Sequence, residues 1–233
     1  MGHSLSGALR QGLVGLGLSL DEAAQAQLLA YMDLIAKWNK VYNLTAVRDA
    51  QEMLTHHLFD SLAVVPPLRR ELAQLARAER FAPALPQVAS SAVSQTRYRL
   101  LDVGAGAGLP GVVIAIACPE VSVTCVDTVG KKAAFVQQVA VSLRLPNLRG
   151  LHARVETLTD PFDVVCSRAF ASLLDFTAWT AGALAPDGVW LAMKGKRPAS
   201  EMQALPDHVK VFHVEPLTVP GLDAERCIVW MRG

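Results

Sequence analysis

Long apolar runs, paired cysteines and an excess of charge of either sign are all missing from this chain, and each absence excludes something. The longest uninterrupted apolar stretch, Val112 to Cys118, is far too short to span a bilayer, so no membrane is expected as a partner. No basic region followed by an apolar stretch and a cleavage site opens the chain, so no export signal is read and a cytoplasmic location is expected. The four cysteines, Cys118, Cys125, Cys166 and Cys227, lie far apart with no C-x-x-C pair. They read as buried free thiols in a reducing compartment rather than as a zinc site or disulfide framework, and no metal is expected. The 22 basic and 21 acidic residues leave a formal charge of +1, without the basic excess of many nucleic-acid binders. Binding depends on local clusters rather than on the sum. Such clusters exist at Arg69-Arg70, at Arg97 with Arg99, at Lys131-Lys132, and at Lys194, Lys196 and Arg197, each taken alone better read as solvated surface charge.

What is present is enough apolar material for a full core: 233 residues, 52% hydrophobic, with no internal repeat. The first hundred residues read as helical. Ser19 precedes Leu20-Asp21-Glu22, acidic residues that suit a first turn, and apolar residues recur at Leu28, Leu29, Met32, Ile35 and Ala36. This predicts a helix to Trp38, with a break over Asn39 to Thr45. A second helix is predicted from Asp49 to Val65, stopped by Pro66-Pro67, and a shorter piece from Leu68 to Arg80. Prolines and a Ser/Gln-rich stretch then mark a linker.

From Arg99 the pattern alternates. Strands are expected at 100–103, 121–127, 147–152, 162–167 and 189–193, helices at 109–118, 131–143 and 173–184, and a closing pair of strands at 209–217 and 226–231, separated by a turn. That order predicts an α/β fold, a mostly parallel sheet covered on both faces with an antiparallel final pair. The organisation expected is a helical N-terminal extension over 1–80, a linker over 81–98 and an α/β core over 99–233.

The chemistry concentrates at Leu100 to Gly111, a strand running into glycines and then a helix, which lets backbone N–H groups approach a ligand closely. Pro110 suits the helix's first turn. Gly106, Gly108 and Gly111 satisfy the G-x-G-x-x-G of dinucleotide sites, a weak signal alone. Asp102, two residues before Gly104, weighs the other way. A carboxylate there would repel pyrophosphate but favour the ammonium and sulfonium of S-adenosylmethionine. Asp127 closes the next strand, where a carboxylate can accept both ribose hydroxyls; it also reads as a cap for the helix near Lys131. Val155-Glu156, after the third strand, is placed to flank an adenine ring or simply to turn.

With Trp38-Asn39-Lys40-Val41-Tyr42-Asn43-Leu44-Thr45, His57-Leu58-Phe59-Asp60-Ser61-Leu62, Asp102 to Gly111, Asp127 with Lys131-Lys132, Ser167-Arg168-Ala169 and Met193-Lys194-Gly195, in that order, the chain resembles the bacterial ribosomal small-subunit methyltransferase G family. The resemblance implies a Rossmann-like class I methyltransferase fold with a mostly parallel seven-stranded sheet. It also implies S-adenosylmethionine as methyl donor, and methylation of N7 of one guanosine in the 530 loop of 16S ribosomal RNA. By position it places donor contacts on Gly104, Leu109, Val155, Glu156 and Arg168, joining Asp102, Gly106 and Asp127. It puts Arg154, Arg168 and Lys194 around the reaction centre as candidate catalytic residues. The partner implied is 16S ribosomal RNA within the small subunit or an assembly intermediate; a monomer is expected because no extra apolar helix face is evident in the sequence. One departure is that the stretch from about 71 to 96 is longer than this family usually has.

Arg168 and Lys194 sit at predicted C-terminal strand ends, where ligands bind in open α/β sheets, and suit phosphate or guanine O6; salt-bridging within the sheet edge is the competing reading. Lys196 and Arg197 are candidates for phosphate contact. His57 and Asp60 are expected to bond locally and tie the helical extension to the core, since His56, His57, Asp60 and Ser61 cannot converge as a nucleophilic triad. Trp38 and Tyr42 read as packing or as base-stacking residues. Among other acceptors, adenine amino-nitrogen is disfavoured because Ser167-Arg168-Ala169-Phe170 stands where an Asn/Asp-Pro-Pro-aromatic motif would be. Cytosine C5 is disfavoured because Cys166 lies inside a strand. A small-molecule acceptor, another RNA, and binding without turnover remain open.

Overall fold

The computed structural model describes residues 2–81 and 96–233. Helix α1 (Gly2–Gly15) precedes α2 (Glu22–Tyr42). The sequence pattern misses α1, because Gly7, Gly12 and Gly15 lower its propensity. Gly12 is there for space, since a Cβ would fall 2.1 Å from the Phe59 ring. Asp21 caps α2, accepting the Ala24 N–H, and the helix continues a full turn past Trp38 to Asn43, which adopts a left-handed φ of 48°. The break expected over Asn39 to Thr45 begins only at Asn43, and Asn39 itself stays in the helix. Its amide turns away from its own backbone and brackets Thr45, donating to the carbonyl and accepting the N–H.

The next segment stays helical as α3 (Ala50–Met53), a π-helical turn (Leu54–Phe59) and α4 (Asp60–Leu62), followed by α5 (Val65–Phe81). The break falls at Ala63-Val64. Pro66 and Pro67 therefore open α5 rather than close what precedes it, since a first turn tolerates the missing N–H. The linker expected over 81–98 lies mostly outside the described residues.

The strands are β1 (Tyr98–Val103), β2 (Val121–Asp127), β3 (Leu148–His152), β4 (Phe162–Arg168), β5 (Leu184–Lys194), β6 (Lys210–Pro216) and β7 (Cys227–Arg232). They form a seven-stranded sheet in the order β3-β2-β1-β4-β5-β7-β6, with β7 antiparallel to both neighbours and the other pairs parallel. This is the class I methyltransferase fold expected. The connection from β6 to β7 is longer than a turn and lets β7 slot in beside β5. Helices α6 (Gly111–Ala117), α7 (Gly130–Ser142), α8 (Leu173–Thr180) and α9 (Ala199–Gln203) complete the chain, α9 unforeseen. β5 starts five residues earlier than expected, with a register shift opposite Phe162/Val164.

Alternate strand residues face opposite sides of the sheet. Leu100, Val123, Val164 and Leu191 point to one core shared with α2, the π turn, α6 and α7. Leu101, Val126, Val165 and Trp190 point to a smaller core under α8. Buried side chains of α1, α2 and α5 (Leu9, Leu28, Leu68) thus join the same cluster as the strands. Polar ties reinforce this: Tyr31 Oη donates to the Ala107 carbonyl at 2.6 Å, fully buried, and Gln27 Nε2 donates to the Leu143 carbonyl.

Tyr31→Phe leaves that carbonyl without its donor in a dry site. A loss of about 1–3 kcal/mol is expected in chemical denaturation. An unchanged midpoint would show that the bond contributes nothing.

Candidate functional site

Strand order reverses between β1 and β4, which creates a crevice at their C-terminal ends. Two cavities open there and meet at Gly104. One, of about 510 Å3, runs over Val103, Val126, Asp127 and Ala153 to Glu156 and is closed by Phe170 and Trp179. The other, of about 670 Å3, lies between the glycine loop, Arg168, Lys194 and the helical segment from Glu52 to Asp60.

The glycine loop is held open by its own backbone. Gly104, Gly106 and Gly108 have φ of 67°, 59° and 89°, a region that side chains disfavour. A Cβ on Gly104 would strike Phe170 at 2.4 Å, whereas one on Gly106 would meet open space within 4 Å save the Gly104 carbonyl. Gly106 lines the larger cavity, so its missing side chain leaves room for a ligand there.

Asp102 occupies a different place from the one the sequence suggests. It is 0% exposed and lines neither cavity. Its Oδ2 accepts the Gly111 N–H at 2.8 Å, and its Oδ1 has no partner in the protein. Burial pushes its carboxyl up to about 7, against the opposing pull of the Gly111 N–H and Arg168. Pro110 stands at the cap of α6 rather than inside its first turn. A leading N–H of that helix, which would face pyrophosphate in a dinucleotide site, is therefore taken internally by Asp102. Asp102 still argues against a dinucleotide, but by consuming the donor rather than by sitting against the ligand.

Asp127 lines the smaller cavity, but α7 is capped by Val129 with no side-chain bond, so the expected role of Asp127 as that helix's cap is not met. Oδ1 accepts the Val129 N–H at 2.8 Å ahead of α7, Oδ2 accepts the Gly106 N–H at 3.0 Å, and Lys132 Nζ lies 3.9 Å away. A carboxylate has about four lone-pair sites, which leaves capacity for two hydroxyl donors from the cavity it lines. Val155 is buried in a 3-10 turn, and Glu156 pairs with exposed Arg154 at 2.9 Å on the rim. Arg154 thus lies with the smaller cavity, away from Arg168 and Lys194. The aromatic wall was missed by the sequence reading. Phe170 and Trp179 meet edge to face at 5.8 Å, and Trp179 is 41% exposed. A large aromatic near the end of the helix that follows β4 is the signal that could have found it.

In the larger cavity, Arg168 Nη1 donates to Asp60 Oδ2 at 2.8 Å and to the His56 carbonyl at 3.1 Å. Arg226 Nε donates to Asp60 Oδ1 at 2.8 Å. Arg226 was not anticipated, and neither was the bridge from sheet to helix in place of one along the sheet edge. The expected local bond between His57 and Asp60 is replaced: His57 Nε2 lies 2.8 Å from Thr45 Oγ1, and burial, the chief cause, holds its pKa below the usual value. Lys194 Nζ donates to Glu201 Oε2 and to the Ala171 carbonyl, both at 2.9 Å. Leu109 lines this cavity; Lys196 and Arg197 are exposed beyond Lys194. Trp38 packs on Tyr42 and Phe135, as the packing reading holds. Among the described residues no cluster of His, Cys, Asp and Glu could hold a metal, and no helix is long and apolar enough to cross a membrane.

The smaller cavity therefore offers aromatic and aliphatic walls with a carboxylate at one end, a fit for a nucleoside. The larger presents guanidinium and ammonium groups to a second ligand carrying carbonyl or phosphate oxygens.

A family model described as rRNA small subunit methyltransferase G matches residues 24–76 and 86–229. The break between these segments falls inside the long stretch from about 71 to 96. The ribosomal RNA small subunit methyltransferase G of Polaromonas sp. (strain JS666 / ATCC BAA-500) is 64% identical over 224 residues, covering 96% of this chain and 92% of that protein. Its namesake in Acidovorax sp. (strain JS42) is 64% identical over 229 residues, covering 98% and 96%.

Two outcomes follow from the site's charges. Asp60→Ala leaves two guanidiniums adjacent and unpaired, and is expected to cost about 3 kcal/mol in denaturation, with Arg226→Met recovering part of it. Full stability in Asp60→Ala would refute the bridge. For Asp102, a folded value raised from 3.8 to about 7 means that the folded protein binds this proton more tightly than the unfolded chain. The stability it contributes is complete below about pH 4 and is lost as pH rises through about 7. The stability difference between wild type and Asp102→Asn should accordingly shift against wild type over that window, and a pH-independent difference would count against it.

Proposed function

The chain belongs to the rRNA small subunit methyltransferase G family, and we propose that it methylates N7 of a guanosine in the 530 loop of 16S ribosomal RNA, using S-adenosylmethionine bound across Gly104. The observation that carries this reading is the pair of cavities meeting at Gly104 with the α6 N–H already consumed by Asp102. That arrangement suits a nucleoside donor lying beside a second ligand and does not suit a dinucleotide.

In this reading the smaller cavity takes the adenosine. Asp127 accepts the ribose hydroxyls, Val155 and Glu156 flank the base with Phe170 and Trp179 opposite, and Gly104, Gly106 and Leu109 shape the passage toward Arg168. Asp102 acts from beneath the loop, fixing Gly111. When bound, S-adenosylmethionine supplies a methyl group activated by its sulfonium. Guanine N7 carries an in-plane lone pair and no hydrogen, so no proton has to leave and no general base is required. The chain's contribution is to hold the acceptor in line, which can supply roughly 7–11 kcal/mol of the barrier. Arg168, fixed by Asp60 and the His56 carbonyl, and Arg226 beside it keep unused N–H donors for guanine O6 or a phosphate. Lys194 holds the Ala171 carbonyl and Glu201, shaping the wall, while exposed Lys196 and Arg197 suit the RNA backbone. Arg154 belongs to the donor side by its position.

The helices over 1–80 are assigned to the acceptor side, joined by the linker at 81–98 to the catalytic core over 99–233. The partner assigned is the small subunit or an assembly intermediate, approached by a monomer in the cytoplasm.

The test is labelled S-adenosylmethionine with small subunits from cells lacking this enzyme, followed by mapping of the modified base. One N7-methylguanine in the 530 loop is the expected outcome. Label elsewhere, or none on ribosomal RNA, would overturn the acceptor.

A further inference from the structure

We propose that Glu52 reads the Watson–Crick edge of the acceptor guanine, making it a residue that separates guanine from adenine at this site. The inference rests on the guanine-N7 reading above and extends it.

Recognition here has an unusual constraint. The common arginine contact to guanine is bidentate, to O6 and N7 together. An enzyme that alkylates N7 must leave that lone pair free, so an arginine can serve O6 alone. A donor at O6 disfavours adenine, whose amino group stands there, but it reads one atom of the base, and adenine also has an N7 without a hydrogen. A second point of selection is available on the opposite edge, where guanine presents N1–H and N2–H2 side by side and adenine presents an acceptor at N1. Two adjacent donors call for two adjacent acceptors, which a carboxylate supplies.

The larger cavity has two carboxylates in its wall, Glu52 and Asp60. Asp60 is buried and holds one arginine on each oxygen. Glu52 has no side-chain hydrogen bond or ion pair among the described residues, although its backbone N–H is capped by Asp49. It is exposed toward the cavity from the first turn of α3. Its neighbours place it well. Glu52, His56 and Asp60 all line the cavity, one helical turn apart each, and Arg168 reaches back to the His56 carbonyl. Arg168 bonds both the His56 carbonyl and Asp60, so it stands one to two turns from Glu52, roughly 6–12 Å along the axis, a span within which a purine's O6 and its N1/N2 edge fit. A carboxylate there would also oppose the positive charge that grows on the purine as N7 takes the methyl group.

The test compares guanosine with inosine at the methylated position of the RNA, since inosine keeps N7, O6 and N1–H but lacks the N2 amine. Wild type is expected to prefer guanosine by roughly tenfold to a hundredfold in kcat/KM. Glu52→Ala and Glu52→Gln should lose activity on guanosine and bring the guanosine-to-inosine ratio close to one, with donor affinity and melting temperature unchanged. A wild-type enzyme indifferent to inosine, or a Glu52→Ala variant that keeps the full preference, overturns the proposal. A matching loss of S-adenosylmethionine affinity overturns it in favour of a contact to the donor's ammonium. If wild type places no label on guanosine at all, the underlying functional reading fails instead, and the two failures are distinguishable.

Discussion

Asp60 stands between the helical segment and the sheet, 4% exposed, and each of its oxygens accepts from a different arginine. Arg168 ends β4 and Arg226 lies just before β7, so one carboxylate from the N-terminal half fixes two strand ends that are distant in sequence. Removing charges from water is costly, and such a group is tolerated only because both of its oxygens are paired with good geometry. The result is positional. Arg168 cannot swing out, because its other contact is the His56 carbonyl in the same helical segment. Without this bridge the larger cavity would have neither its wall nor its orientation.

Two further carboxylates do for the glycine loop what Asp60 does for the arginines. Asp102 takes the Gly111 N–H from below, and Asp127 takes the Gly106 N–H from the side. Tyr31 adds a third tie through the Ala107 carbonyl, from the helical half of the chain. A loop with three glycines at positive φ would otherwise sample many conformations. Pinned at three points by side chains from three different elements, it keeps a shape into which a ligand can fit without ordering it first, and that saves binding free energy.

The β-α alternation was legible because it depends on local patterning. Parallel strands buried on both faces read as apolar runs, and each strand found lies within a few residues of its expected place. The glycine loop was legible for the same reason. What the pattern could not show was where side chains go once the chain folds. Asp102 was read as facing the ligand, but β1 alternation turns it toward the α6 face with Leu100. Asn39 was read as a helix break, but its amide is engaged across the loop by Thr45. Asp60 was assigned a neighbour three residues away, and its real partners lie more than a hundred residues on. Arg226 and Trp179 stand in segments with no motif of their own. The placement of α1 was hidden by glycines that serve packing rather than turns.

The near-neutral charge of the chain, which argued weakly against an RNA partner, is explained by how the charges are distributed. Many basic side chains are answered one for one: Arg70 by Glu215, Arg99 by Asp160, Arg154 by Glu156, Lys194 by Glu201 and Arg232 by Glu71. At the larger cavity the ratio changes, because one carboxylate answers two guanidiniums. Immediately around Asp60 this leaves one guanidinium in surplus, which Glu52 in the same cavity wall, unpaired among the described residues, offsets, with Lys196 and Arg197 exposed nearby. Low-dielectric walls strengthen the field of such charges inside a cleft while leaving the rest of the surface neutral. The sum over the chain conceals this, since it weighs a rim pair in open solvent equally with a pair of arginines sharing one buried partner. The sharing of Asp60 is also what fixes the two arginines in the cavity wall.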